Sequence, residues 1–158
     1  MNRERIEVYV AGAQQLRDAY AGLSRQQLLA IPEAGTWSLH QIAVHLMDSD
    51  LIGSDRMKRI ASMELPWLCG YDESAFSRLP GTNELNTAEA CQMFATNRQM
   101  TAVILRHLPD EAFQRCGIHD EVGKVTLADL VDKYIRHLND HLSHVFRKRA
   151  MVGAPAIV

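Results

Sequence analysis

Apolar residues recur every three or four positions in four long segments of the chain, which is the period of an amphipathic α-helix. The first two segments extend from about Arg3 to Ala21 and from Leu39 to about Met63. The other two extend from Asn86 to about His107 and from Thr126 to about Arg149. No segment shows a convincing alternation of apolar and polar residues. The pattern therefore predicts an all-α fold with four long helices.

Polar capping residues sharpen the starts of these helices. Ser38 is followed three positions later by Gln41, a capping-box pattern that predicts a helix beginning at Leu39. The third and fourth segments open in a similar way, with a polar cap at Asn86 and at Thr126 and an acidic residue three positions on. The sequence therefore defines the starts of three helices more sharply than their ends.

Two connecting segments differ from short turns. Residues 64–85 include three aromatic residues, two prolines and two glycines. The segment is too long for a tight hairpin. Its length predicts a crossover between the second and third helices. Residues 109–125 are expected to contain one short helix and a turn bounded by glycine.

Composition adds limits on domain number and on function. A chain of 158 residues with 47% hydrophobic residues fits one folded domain, expected over residues 1–150 with a flexible tail at 151–158. A formal charge of −2 with no basic stripe argues against a nucleic-acid partner. The N-terminus lacks the apolar core of a signal peptide, and no stretch approaches the roughly 18 apolar residues of a membrane span. The expected location is the cytoplasm.

Two histidines of the fourth helix are the first candidates for chemistry. His137 and His141 are four residues apart and point to the same side of the helix. That side is the apolar face, whose other members are Leu127, Leu130, Tyr134 and Val145. A buried imidazole without a partner costs about 1–3 kcal/mol, and one shared divalent metal ion would provide a partner for both rings. The alternative is that each histidine is hydrogen-bonded separately in the core.

His45 is a candidate for the third ligand. It lies at the edge of the apolar face of the second helix, in the direction of Ser49 and Ile52. Three protein ligands with an open fourth position are typical of catalytic zinc sites. The alternative is a hydrogen-bonded histidine of the core.

Two further residues lie one turn from these candidates. His144 follows His141 by three residues and could be a fourth ligand, a group that orients a ligand, or a general base. Asp48 follows His45 by three residues and could orient that ring through its carboxylate, or could lie exposed on the surface. His40, near the start of its helix, is expected to be exposed.

Three segments resemble the DinB-like superfamily, and in particular its YfiT-like branch. TWSLHQIAVHLMDSD at 36–50 resembles its signature of tryptophan, serine, histidine, leucine and aspartate, and YIRHLNDHLSHV at 134–145 resembles its C-terminal HxxxH helix. GYDESAFSRL at 70–79 resembles its tyrosine–aspartate segment. The matches span nearly the whole chain in the expected order.

The resemblance implies a four-helix bundle with an up-down-down-up course and a homodimer. It also implies a site for one divalent ion, zinc or nickel, with His45, His137 and His141 as ligands. Members of the family include S-transferases that use low-molecular-weight thiols, a thiol-dependent isomerase, and many proteins named only as metal-dependent hydrolases. The expected function is therefore a metal-dependent transferase using such a thiol, or a hydrolase. The alternative is a metal-stabilised helical module that binds a partner without catalysis.

The long 64–85 segment is the expected cover of the metal site. Its Trp67 and Tyr71 combine an apolar ring with a polar edge, which suits a small-molecule substrate or cofactor half exposed to water. The alternative is that both aromatic residues fix the loop to the bundle or lie in the dimer contact.

Overall fold

The computed structural model describes residues 3–154, and four long helices form its frame. Six α-helices are numbered in chain order, and they are α1 Glu4–Tyr20, α2 Arg25–Leu29, α3 Leu39–Ser62, α4 Glu73–Ser77, α5 Thr87–His107 and α6 Leu127–Met151. The long helices α1, α3, α5 and α6 correspond to the four predicted segments, and each bound lies within two residues of its prediction. Capping boxes are present at Ser38 and at Thr126. The predicted four-helix bundle is confirmed.

Helices α3 and α5 run in the same direction. His40 contacts Thr87 at 2.7 Å near their starts, and Asp50 contacts Arg98 at 2.9 Å about three turns further along both helices. Two consecutive helices can be parallel only if the segment between them returns along the length of the bundle. The predicted crossover is therefore confirmed.

The remaining directions complete an up-down-down-up course. Three side-chain contacts define them: Arg5–Asp132 and Arg149–Ala19 between α1 and α6, and Arg106–Glu7 between α1 and α5. The first two contacts join start to start and end to end, so α1 and α6 are parallel. The third joins the start of α1 to the end of α5, so α1 and α5 are antiparallel.

A buried arginine joins all four long helices. Arg98 of α5 is 1% exposed, and its guanidinium donates to the Asp50 carboxylate at 2.9 Å. It also donates to the backbone carbonyls of Tyr9 in α1 at 2.9 Å and Tyr134 in α6 at 2.8 Å. Its carbon lies 4.4 Å from the ring centres of Tyr9 and Phe94. One side chain therefore links all four long helices near the middle of the bundle.

Two glycines permit the close approach of these helices. A Cβ on Gly12 would lie 2.4 Å from Leu138 and 2.6 Å from the Arg98 guanidinium. A Cβ on Gly53 would lie 2.3 Å from the Tyr134 ring. Real contacts of that length do not occur, so α1 and α3 reach α6 only because both positions lack a side chain.

The two connectors also form a small sheet, which the pattern of apolar residues did not indicate. Its strands are β1 Trp67–Leu68, β2 Cys116–His119 and β3 Gly123–Thr126, in that spatial order. Strand β1 is parallel to β2, and β2 is antiparallel to β3. Strands of two to four residues are too short to show an alternating pattern. The short helix predicted in residues 109–125 is present as a 3-10 helix, Asp110–Gln114.

The C-terminal end of α6 extends further than expected. Met151 belongs to the helix, and the Ala154 amide donates to the Arg149 carbonyl at 3.0 Å. Met151 and Ala154, which fall within the predicted flexible tail at 151–158, are therefore held to the helix, and residues 155–158 lie outside the described residues. Within residues 3–154 no helix is long and apolar enough to cross a membrane. The single-domain boundary and the cytoplasmic location stay predictions.

Breaking the buried pair of Arg98 and Asp50 is expected to lower the stability of the protein strongly. Replacing Arg98 with Met leaves the Asp50 carboxylate buried without its cation, so we expect the free energy of unfolding in urea to fall by about 3–5 kcal/mol. Replacing exposed Arg106 with Met, which breaks the surface pair with Glu7, is the control and should cost less than about 1 kcal/mol.

A double variant tests the cause. Asp50→Leu combined with Arg98→Met removes both charges, so its loss of stability should be well below the sum of the two single losses. Additive losses would show that the pair itself does not matter.

Candidate metal centre

Three imidazole rings converge between α3 and α6. The Nε2 atoms of His45 and His137 are 3.1 Å apart, and one ring nitrogen of each of His45, His137 and His141 lies within 4.8 Å of the others. The three ring centres are 4.6–5.1 Å apart. The structure thus brings together the three residues that the sequence indicated as ligands. These residues are called the histidine cluster below.

Burial keeps the histidine cluster neutral. Loss of hydration lowers the pKa of His45 to about 4, of His137 to about 3 and of His141 to about 4. The neighbouring rings lower the pKa values of His137 and His141 further, because a second positive charge there would be repelled. At neutral pH each ring therefore keeps a free lone pair on one nitrogen.

The donor set fits a divalent metal ion. Neutral imidazole nitrogens bind zinc at about 2.0–2.1 Å, so two ligands of one ion lie within about twice that distance, as the 3.1 Å between His45 and His137 does. His141 Nδ1 is buried and has no hydrogen-bond partner among the described residues. A hydrogen bond between His45 and His137 would leave His141 Nδ1 without a partner, whereas one ion between the three rings would use a nitrogen of each.

A carboxylate lies next to the histidine cluster. Glu73 begins the short helix α4, which the Asp72 side chain caps by accepting from the Ala75 amide at 2.8 Å. Glu73 Oε2 is 3.9 Å from His45 Nε2, and the Glu73 side chain is 49% exposed. Since His45 is neutral, this contact is not an ion pair and the carboxylate is available for chemistry. The sequence did not indicate Glu73, because its position depends on how the crossover folds.

The aromatic neighbours differ in part from the expectation. The ring of Trp37 lies 4.9 Å from that of His45 and is parallel within 7° to that of His141 at 6.4 Å. Tyr71 is half-buried, and burial raises its pKa to about 12. Trp67 lies in β1 and is 60% exposed. The structure therefore places Trp37 against two rings of the cluster, and Tyr71 in the wall of a cavity that also includes His137. The roles of Trp67 and Tyr71 in binding a substrate or cofactor stay predictions.

A cavity of about 170 Å³ opens beside the histidine cluster. Its wall includes His137, which the cavity shares with the cluster, together with Arg56, Tyr71, His119, Lys133 and Tyr134. This space, called the polar cavity below, is bounded by α3, α6 and the two connectors. A molecule inside it would be in contact with the cluster through His137.

The prediction that His40 is exposed was wrong. His40 is completely buried, its Nδ1 lies 2.7 Å from the Thr87 hydroxyl, and its Nε2 lies 2.9 Å from the Thr82 carbonyl. The crossover folds over the start of α3 and covers this ring, which sequence periodicity does not reveal. His40 holds the crossover in place and is not part of the candidate site.

The other two candidate residues lie further from the histidine cluster. His144 is exposed, with its ring centre 6.3 Å from that of His141. Asp48 is half-buried, and burial raises its pKa. Within residues 3–154 neither side chain has a hydrogen bond or an ion pair to the three histidines. Their roles as orienting group or general base stay predictions.

Comparison with known proteins agrees with this architecture. The sequence model of the DinB superfamily matches residues 9–145. A Bacillus subtilis protein named "Putative metal-dependent hydrolase YfiT" is 26% identical over 149 residues, which cover 94% of this chain and 84% of the relative. A similarly named protein of Oceanobacillus iheyensis is 24% identical over 142 residues, covering 90% of this chain and 80% of the relative.

Solved structures show the same fold. The structure of YfiT from Bacillus subtilis, described as an unusual four-helix bundle, superposes with a TM-score of 0.90 at 24% identity, covering 96% of this chain and 87% of YfiT. The DinB-like protein YjoA of the same species superposes with a TM-score of 0.68 at 15% identity, covering 98% of this chain and 96% of YjoA. Because the family match extends over most of the bundle and includes all three histidines, the chain belongs to the DinB superfamily.

Proposed function

We propose that this protein is a metal-dependent hydrolase in which His45, His137 and His141 hold one divalent ion. The observation that carries the proposal is the meeting of three neutral imidazoles at the wall of the polar cavity. The names of the similar proteins, which call them metal-dependent hydrolases, agree with it. Zinc and nickel both accept imidazole ligands, and metal analysis of the purified protein identifies the ion.

Each group at the histidine cluster is assigned one role in hydrolysis. When bound, a divalent ion supplies a Lewis acid that activates water or polarises a carbonyl group. Glu73 Oε2, close to His45 and open to solvent, accepts the proton that the attacking water loses. Trp37 packs an apolar ring against His45, and Tyr71 lines the adjoining cavity, so that a bound substrate replaces bulk water there.

An open site supports catalysis over a purely structural role. A structural zinc site is closed by four protein ligands, whereas a catalytic site keeps one position open. The histidine cluster has three members among the described residues, and it borders a cavity. A non-catalytic module would need neither feature.

Two finer expectations remain part of the proposal. Transfer of a low-molecular-weight thiol, which the family resemblance implies, would use the same three histidines and stays a prediction. The homodimer also stays a prediction, and it is supported by exposed apolar side chains on one side of α5. These side chains are Met93, Met100, Val103 and Ile104.

The first test concerns metal binding. His141→Ala should lose stoichiometric metal, measured by mass spectrometry of purified protein. It should also lose the rise in melting temperature that metal-loaded protein shows over chelator-treated protein. This rise is expected because a ligand at a free concentration of 100 times its Kd stabilises the folded state by about 2.7 kcal/mol. His107→Ala, which removes an exposed histidine of α5, is the control and should behave like the unmodified protein. Full metal content in His141→Ala would exclude His141 as a ligand.

The second test concerns Glu73. Glu73→Gln keeps the size of the side chain and removes its basicity, so we expect kcat for hydrolysis of p-nitrophenyl acetate to fall about 10²- to 10⁴-fold with metal content unchanged. Glu84→Gln, an exposed substitution in the same crossover, is the control. A parallel assay of thiol addition to chlorodinitrobenzene distinguishes hydrolysis from transfer. Unchanged kcat in Glu73→Gln would contradict the assigned role.

The third test uses pH. The folded protein holds the three histidines with pKa values of about 3 to 4, whereas in the unfolded chain they titrate near 6.5. As pH falls from about 6.5 to 4, the unfolded chain takes up protons that the folded protein does not, so the stability of metal-free protein should fall. His141→Gln should show a shallower decline than the unmodified protein in guanidinium unfolding at each pH. Equal slopes would contradict the neutral, buried state of His141.

A further inference from the structure

The polar cavity contains a buried arginine without an acidic partner. Arg56 of α3 is 4% exposed and donates to the Tyr134 hydroxyl at 3.3 Å and to the Cys69 carbonyl. Its Nε is buried and has no hydrogen-bond partner, and no carboxylate of residues 3–154 forms an ion pair with it. A buried guanidinium is costly unless an anion compensates its charge.

A second cation lines the same cavity. Lys133 of α6 is half-buried, and its ammonium group has neither a hydrogen bond nor an ion pair within the part of the chain that the structure describes. Burial and the nearby Arg56 lower its pKa, since both disfavour a positive charge at this place. Two cations of neighbouring helices therefore share a cavity without a direct anionic partner.

His119 adds a neutral donor. It is 2% exposed, and burial lowers its pKa, so its ring is neutral at pH 7. Asp120 Oδ1 lies 3.1 Å from Nδ1, but a neutral ring accepts there from the Glu121 amide at 3.2 Å. The ring hydrogen is then on Nε2, which is buried and unpartnered among the described residues. This N–H is a third unused donor at the polar cavity.

The acidic side chains nearby do not neutralise this arrangement. Glu73 and Glu121 also border the polar cavity, and Asp120 lies beside His119, but all three carboxylates are exposed to solvent. Water and salt screen exposed charges much more than buried ones, so these carboxylates compensate the buried charge of Arg56 only weakly. The exposed carboxylates at the rim also repel a ligand with two negative charges.

We propose that the polar cavity binds a carboxylate group of the substrate through Arg56, Lys133 and His119. The inference rests on the proposed function, because the rest of the substrate then reaches the histidine cluster past His137, the residue common to both. A volume of about 170 Å³ corresponds to five or six water molecules at about 30 Å³ each, enough for a carboxylate with a short carbon chain. The acidic rim favours this monoanion over phosphate.

Binding of simple probes to metal-free protein tests the assignment. Butyrate carries the proposed group, butyramide has nearly the same shape without charge, and inorganic phosphate represents the other common anion. Titrations followed by NMR at the Arg56 Nε–H and His119 ring signals should show saturable butyrate binding, with butyramide at least about tenfold weaker because charge-assisted hydrogen bonds are lost.

Variants connect the binding to these side chains. Arg56→Gln and Lys133→Gln should each weaken butyrate binding about tenfold or more, and Lys133→Gln provides the test if Arg56→Gln does not fold. Lys58→Gln removes an exposed lysine of α3 and is the matched control. Equal affinity for butyrate and butyramide, tighter binding of phosphate, or equal weakening by Lys58→Gln would overturn the proposal.

The same titration separates this inference from the proposed function. Because the protein is metal-free in the experiment, failure of metal binding or of hydrolysis does not affect the result. Protein that binds metal and hydrolyses p-nitrophenyl acetate but does not bind butyrate would overturn the carboxylate site alone. Protein that binds butyrate through Arg56 but no metal would overturn the hydrolase alone.

Discussion

The buried charge of Arg98 is the interaction on which the arrangement of the bundle depends. The guanidinium of Arg98 is 1% exposed, and Tyr9, Asp50 and Tyr134 of three other helices supply the hydrogen-bond acceptors and the anion that compensate its burial. A shift of α3 along its axis would leave the charge unpaired, and a shift of α1 or α6 would remove one of its hydrogen-bond acceptors. The need to satisfy one side chain therefore determines the register of all four long helices.

That register positions the histidine cluster. Asp50 follows His45 by five residues on α3, and Tyr134 precedes His137 by three residues on α6, so the helices that supply the cluster are aligned within two turns of it. Gly53 allows the Tyr134 ring to lie directly against α3. The resulting close packing removes part of the water around the rings, which lowers their pKa values and leaves neutral nitrogens as ligands.

The sequence predicted the parts of the structure that depend on periodicity within one helix. The spacing of His137 and His141 placed both on one face of α6, and the capping pattern at Ser38 placed the start of α3. The course of the bundle came from the family resemblance, with the long crossover as independent support. The two histidine positions and the helix start depend on local helix geometry, and the course of the bundle was inferred from motifs that resemble those of the family.

The features that the sequence did not predict depend on contacts between connectors that are distant in the chain. The sheet pairs residues near 67 with residues near 118, and it carries His119 to the polar cavity. Glu73 reaches His45 only because the crossover folds back, and the same folding buries His40. Strands of two to four residues and a short helix have too few positions for a periodic signal.

The most direct test of the account is to locate the metal itself. Crystals grown with zinc or nickel, measured at the absorption edge of that ion, should show one anomalous peak between α3 and α6. The account predicts ring nitrogens of His45, His137 and His141 at about 2.0–2.2 Å from that peak, with the side facing the polar cavity open. A peak elsewhere, or a fully loaded crystal in which one of the three rings points away from the ion, would contradict it.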